Sequence, residues 1–321
     1  MATTDEQTYS HIFIELNQHL HNRQPIKATF PIQDIYPVQF NEPKFLGSTD
    51  YINYIKLALK VDFGFNNNYF NKHTANYCAH QIIEQSLNEE QNDKLINVHY
   101  LYGHGFYHYL TEVLPNLIEI NKPHDVYVKY CRFAESVARW FDISNNIIFD
   151  VDKNKYKLEI TQPVIECGTP SPRKIQLLRS VAERKLTFSP SIGILIFRRE
   201  TLRRILNIKA TFEMVKELFP NMEWVIFDTM PIEKATELFS TAKVIFAPHG
   251  AGLTNTIFCP TGTLIYELMP MEKPNLCYYH ISEILGHKHY IIPHETKENQ
   301  QFAVNTARVS ALIKESLNNG V

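Results

Sequence analysis

Lys243-Val-Ile-Phe-Ala-Pro-His-Gly-Ala-Gly-Leu-Thr-Asn-Thr-Ile-Phe258 reads as a buried strand, a tight turn of small residues and the first turn of a helix. A helix N-terminus presents free backbone N–H groups and the positive end of a dipole, which suits a phosphate. Gly250 and Gly252 would let the backbone approach a ligand with no Cβ in the way. His249 falls where the strand ends, at the carboxyl edge of a sheet, the edge at which open α/β folds bind ligands. The plainer alternative is an ordinary strand–helix turn with a structural histidine, because short glycine patterns also arise by chance.

The surrounding chain has room for such a sheet. Its 321 residues are enough for two domains with proper cores, and 44% hydrophobic with 21% charged residues is ordinary for a globular protein. A formal net charge of −2 excludes broad nucleic-acid binding but leaves space for a local arginine cluster. No apolar run follows Met1, so no signal peptide is expected, and no stretch reaches the ~18 apolar residues of a membrane span. Cys78, Cys131, Cys167, Cys259 and Cys277 are odd in number and widely spaced, with no Cys-x-x-Cys pair. They read as reduced thiols of a cytoplasmic protein, not as zinc ligands.

Working outward, helical and strand periods alternate. An amphipathic helix is expected at 8–21 and a loop tip at Asn66-Asn67-Asn68. Strands are expected at 95–102, 125–130 and 146–149, with helices at 106–120 and 132–140. Gly168-Thr-Pro-Ser-Pro172 is a rigid polar break that divides residues 1–168 from 169–321. Beyond it, helices are expected at 173–185, 210–218, 232–240 and 251–258. Strands are expected at 192–197, 224–227, 243–247 and 263–268. Two successive runs of this kind suggest an α/β chain of two Rossmann-like domains facing a cleft.

Two further segments carry chemistry. Phe197-Arg-Arg-Glu-Thr-Leu-Arg-Arg-Ile-Leu-Asn207 follows a predicted strand directly and packs four arginines into seven residues. The planar guanidinium fork fits phosphate oxygens, although a solvated basic loop has the same composition. In Tyr102-Gly-His-Gly-Phe-Tyr-His-Tyr-Leu-Thr-Glu-Val-Leu-Pro115, His108 and Glu112 lie four residues apart and share a helix face. Either could serve as a general base, or the pair could merely pack.

Taken in order, the three segments resemble glycosyltransferase family 61, whose relatives include β-1,2-xylosyltransferase and O-linked N-acetylglucosaminyltransferases. The resemblance rests on Tyr107-His-Tyr-Leu-Thr-Glu-Val-Leu-Pro115, on Arg198 with Arg203-Arg204-Ile-Leu-Asn207, and on Pro248-His-Gly-Ala-Gly-Leu-Thr-Asn255 with Pro260-Thr-Gly-Thr-Leu-Ile-Tyr-Glu267. It departs at Gly105, where many relatives carry Asn. The resemblance implies a GT-B fold in which residues 169–321 hold the nucleotide sugar and residues 1–168 serve the acceptor. The last helix is then free to pack back on the N-terminal domain. It also implies an inverting transfer without a bound metal or other cofactor, from a UDP-sugar such as UDP-xylose or UDP-N-acetylglucosamine to a glycan or protein-linked sugar. The donor side would use Arg198, Arg204, Asn207, His249, Gly250, Ala251, Gly252, Leu253 and Asn255, with Glu267 on the ribose hydroxyls. Glu112 is the expected base, with His108 orienting or replacing it.

Three alternatives stand beside this. Asp150 and Asp152 form an Asp-x-Asp that could hold Mg²⁺ or Mn²⁺ in a metal-dependent transferase. The same folds host nucleotide-sugar epimerases and hydrolases, and also non-catalytic nucleotide-binding modules. His287 and His289 could chelate a metal but are expected on a strand or loop near the surface. Peripheral recruitment to a membrane is compatible with the chain.

Overall fold

The computed structural model describes residues 44–50, 94–97, 103–119, 125–128, 131–148, 157–160, 170–199, 202–272, 274–297 and 301–318. The expected helix at 8–21, Asn66–Asn68, Cys78, Asp150, Asp152 and Cys167 lie outside these residues. The chain forms two compact units, one of Met1–Pro37 and Gly64–Ser171, the other of Val38–Phe63 and Pro172–Val321.

The first described strand, β1 (Lys44–Phe45), belongs to the second unit. The first unit is built on a four-stranded parallel sheet: β2 (Lys94–Asn97), β3 (Asp125–Tyr127), β4 (Asn146–Ile148) and β5 (Lys157–Ile160). The spatial order is β4-β3-β2-β5. The earliest strand therefore lies inside the sheet, and the winding reverses beside it. β5 had no counterpart in the sequence pattern. The next described segment after β2 is the turn at Gly103–Gly105, which opens a helix over 106–119. Its apolar face (Leu110, Val113, Leu114, Leu117) is buried, as its spacing predicts.

The second unit is a six-stranded parallel sheet. It adds β6 (Ile192–Ile196), β7 (Glu223–Phe227), β8 (Ala242–Pro248), β9 (Leu264–Pro270) and β10 (Lys288–His294). The order is β1-β10-β9-β8-β6-β7. β7 and β8 leave β6 on opposite sides, so the topological switch point lies between β6 and β8. Leu46 N–H donates to Ile291 O at 2.8 Å, which fixes the early segment to the edge of this sheet.

Alternation assigns the two faces. Leu195, Phe246, Tyr266, Leu268, Tyr290 and Ile292 point one way, into a core shared with Met214 and Val215 of the Ile208–Leu218 helix and Val309 and Ile313 of the Thr306–Asn318 helix. That last helix packs on its own unit, where its apolar stripe completes this core and Ser316 Oγ lies 3.0 Å from Tyr266 OH. The other face carries Ala247, Glu267, His289 and Ile291 towards the Cys277–Leu285 helix. Neither that helix nor β10 was anticipated as a regular element from sequence.

The quoted stretch forms a 3-10 helix at Ala251–Phe258, tighter than the α-helix its spacing suggests. Its carboxyl end is held from below. Arg179, buried on the Pro172–Lys185 helix, donates through Nη1 to Ile257 O at 3.2 Å and to Cys259 O. Arg179→Ala leaves these buried carbonyls without that partner. It is expected to cost about 2–3 kcal/mol in chemical denaturation, the range for hydrogen bonds to a charged group. A loss below about 0.5 kcal/mol, typical of an inconsequential surface change, would contradict the role.

Candidate functional site

Each unit carries a cluster of candidate residues, described in turn. In the first, the 106–119 helix is interrupted. Phe106–His108 is α-helical, Tyr109–Val113 is a π turn, and Leu114–Glu119 is α-helical again. Leu114 N–H donates to Tyr109 O, five residues back. Pro115 supplies a reason: it has no N–H for the carbonyl of Thr111 and its ring crowds that carbonyl, so the turn widens ahead of it. Thr111 Oγ1 donates back to Tyr107 O at 2.9 Å.

Across this turn His108 Nδ1 lies 3.0 Å from both Oε1 and Oε2 of Glu112. The Glu112 side chain is 2% exposed and the His108 side chain 24%. The carboxylate thus sits under the imidazole, and the histidine is the member of the pair that meets solvent. A carboxylate acceptor places hydrogen on His108 Nδ1.

In the second unit, the Arg198 guanidinium and the Gly250 turn meet at the switch point. A Cβ on Gly250 would overlap Arg198 Nη1, and a Cβ on Gly252 would crowd Ile196 Cγ2 at 2.9 Å. Gly250 has extended backbone (φ 160°, ψ 172°), so its need for glycine is this close approach. Both glycines make room for side chains at and just after the end of β6.

The four arginines divide. Arg199 pairs outward with Asp228, and Arg204 is exposed with its guanidinium 5.8 Å from the Phe197 ring centre. Arg203 adopts φ 58°, a left-handed turn that swings it inward. The charges of Arg203 and Arg198 both act on buried Tyr278. Arg203, not Arg204, is therefore the second inward arginine. The Asn207 amide bonds the backbone of Val304: Nδ2 donates to Val304 O at 2.9 Å and Oδ1 accepts from Val304 N at 2.8 Å. It thereby pins the Phe302 segment beside Ile205.

Glu267 is fully buried, and both of its oxygens are taken, one by His249 Nδ1 and the other by His289 Nε2 at 2.9 Å. It is closed to a ribose. Burial by itself would raise its pKa, but the His249 charge and hydrogen bonds from both histidines bring it down to about 2. Tyr278 packs its ring 5.0 Å from that of His249. His289 and His287 are buried, not superficial as expected, and His287 Nε2 donates to Thr256 O at 3.0 Å. Ala251 is partly exposed, while Leu253 is buried. Asn255 Nδ2 donates to Gly252 O at 2.9 Å, and its Oδ1 is buried without a hydrogen-bond partner. Cys131, Cys259 and Cys277 are buried and outside any disulfide.

The family model described as Glycosyltransferase 61 matches residues 106–266, half of the chain. The chain belongs to glycosyltransferase family 61. Over 93 residues it is also 29% identical to the EGF domain-specific O-linked N-acetylglucosamine transferase of Drosophila melanogaster, a match that covers 28% of this chain and 17% of that protein. The matched family 61 segment opens at the His108 helix and closes one residue before Glu267, so it includes His108, Glu112, Arg198 and His249. His289, Ser282 and Tyr278 lie beyond it. Tyr278 was legible only as one of many aromatics. His289 could have been flagged by the alternation His289-Tyr-Ile-Ile-Pro293, in which 289 and 291 share a face. No helix of the described residues is long and apolar enough to cross a membrane.

Burial holds His280 and His287 at about 4, below the ordinary 6.5. The unfolded chain then binds more protons than the folded one between pH 6.5 and 4. Stability is full above 6.5 and is lost as pH falls through 4. The melting temperature should drop steadily across that window, and a flat profile from pH 7 to 4.5 would reject the assignment.

Proposed function

We propose that this chain is a GT-B type glycosyltransferase module that transfers a sugar from a nucleotide diphosphate donor to a sugar hydroxyl, with inversion and without a metal. The observation that carries the reading is the meeting of Arg198, Gly250 and His249 at the β6–β8 switch point, within a chain of family 61. A diphosphate there would face Arg198, Arg203, His249 and the backbone N–H groups of the turn at Gly250–Gly252. As the sugar–oxygen bond breaks, negative charge grows on the leaving diphosphate, and fixed positive groups stabilise that charge more in the transition state than before it. The two inward arginines supply what a divalent cation would supply elsewhere.

On the acceptor side, His108 Nε2 would take the proton of the attacking hydroxyl, with Glu112 fixing the tautomer and stabilising the imidazolium that forms. The hydroxyl oxygen bonds to the anomeric carbon from the face opposite the departing diphosphate, which inverts that carbon. The name of the fruit-fly relative supports N-acetylglucosamine as the first donor sugar to test. UDP is the corresponding nucleotide, and UDP-xylose is the second choice.

Thermal unfolding against UDP, GDP, CMP, ADP and dTDP, each with Mg²⁺ and with chelator, tests the donor site. The expected result is a metal-independent rise with UDP, since a ligand at ~100 times its Kd adds ~2.7 kcal/mol. No rise with any nucleotide overturns the reading. Arg198→Ala should weaken UDP binding about tenfold or more, the equivalent of one charged hydrogen bond. An unchanged Kd would make Arg198 purely structural. His108→Ala and Glu112→Gln should each lower kcat by at least about 100-fold, the lower end for acid–base groups, with the UDP-induced shift retained. Full activity in either variant removes that residue from the mechanism.

A further inference from the structure

Asn207 stands directly before the Ile208–Leu218 helix, where an asparagine ordinarily bonds the free N–H groups of its own first turn. Its backbone C=O accepts from Thr211 N–H at 3.0 Å and starts the helix, but its side chain makes no capping bond there. The amide reaches instead to Val304, 97 residues away, donating through Nδ2 to Val304 O at 2.9 Å and accepting at Oδ1 from Val304 N–H at 2.8 Å. Just before it, Phe302 N–H donates to Arg204 O at 3.2 Å, and Leu206 N–H donates to Phe302 O at 2.8 Å. These are the two bonds of a parallel bridge at Ile205. Four hydrogen bonds therefore fall on the four residues that follow Arg203.

The fastening is seated in the core. Ile205, Phe302 and Val304 are buried in the same apolar cluster as Leu268 and Ile292. The Phe302 ring stacks on His294, at the carboxyl end of β10, with centres 3.7 Å apart and planes 24° from parallel. Residues 204–207 are thus tied to the sheet edge that also carries His249, whose N–H donates to Leu268 O at 2.8 Å.

Arg203 needs such a tie. Its φ of 58° is a left-handed torsion that a residue with a Cβ leaves unless its surroundings hold it. Its Nε is buried with no hydrogen-bond partner among the described residues, which adds the cost of an unpaired donor. Freed from the bonds at 204–207, the chain would relax to an ordinary torsion and carry the guanidinium out to water. We propose that Asn207 is a positioning residue: together with Phe302 it fastens the chain after Arg203, and so keeps that guanidinium turned inward for the donor diphosphate. The inference rests on the donor site proposed above. A costly conformation that is held before the ligand arrives does not have to be reached during binding, which is preorganisation.

A double-mutant cycle on UDP binding, measured by calorimetry on the full chain, separates this role from a merely structural one. With Arg203 present, Asn207→Ala should weaken UDP binding about tenfold, the equivalent of one charged hydrogen bond. With Arg203→Ala already in place, the same change should weaken it less than about twofold, because the group it positions is gone. An equal loss in both backgrounds, or an unchanged Kd in Asn207→Ala alone, overturns the proposal. If Asn207→Ala does not fold, Asn207→Asp replaces it under the same criteria, since it keeps the acceptor for Val304 N–H and loses only the donor to Val304 O. Backbone NMR shifts of Arg203 without nucleotide read the torsion itself. A left-handed Arg203 is expected in the wild type and should be lost in the Asn207 variant, whereas left-handed shifts in both overturn the proposal. Absence of UDP binding by the wild type removes the donor-site reading, and the torsion at Arg203 then decides the positioning role alone.

Discussion

A carboxylate with no exposed surface is the constraint around which the second unit is arranged. Burying Glu267 as a charge costs several kcal/mol unless positive partners and hydrogen bonds compensate. Compensation comes from both neighbouring strands: His249 from the end of β8 and His289 from β10. Because the strands are parallel and in register, Ala247, Glu267 and Ile291 are level, and the two imidazoles reach the two oxygens from opposite sides. A one-residue slip of β9 would send Glu267 into the aromatic face occupied by Tyr266 and Tyr290, whose rings stack at 5.5 Å. The carboxylate thus fixes the register of the strands and the orientation of His249 together.

The switch point follows from the same winding. β7 and β8 depart from β6 on opposite sides, and the loops leaving β6 and β8 are left adjacent at the carboxyl edge. Arg198 comes from the first loop and His249–Gly250 from the second. The missing Cβ of Gly250 lets the guanidinium lie against the turn. Arg179 holds the far end of the 3-10 helix from beneath. The turn is therefore set at both ends by arginines that are distant in sequence, which suits a preorganised anion site.

In the first unit the constraint is local. Pro115 denies the helix one hydrogen bond, a π turn forms ahead of it, and His108 and Glu112 stay in contact across the wide turn. The histidine remains accessible and the carboxylate does not. That asymmetry, and not the spacing of four, tells the two side chains apart.

Sequence alone carried the α/β alternation, the strand–turn that ends in His249, the arginine cluster and the His108–Glu112 pair, because each is a local pattern of period or spacing. It placed Arg204, Asn207 and Glu267 at the donor site without the contacts that the structure gives them. Which of two adjacent arginines points inward depends on one backbone torsion at Arg203, which composition does not encode. Whether Asn207 meets a ligand depends on the Phe302–Val304 segment, which arrives from about a hundred residues away. Glu267 was taken to meet ribose because it ends a strand segment, but strand order surrounds it with two histidines. The helix at Cys277–Leu285 was also beyond reach. Local periodicity determined what the elements are. Only tertiary packing decided which side chains face one another, because the partners that satisfy a buried charge or amide come from elements far apart in the chain.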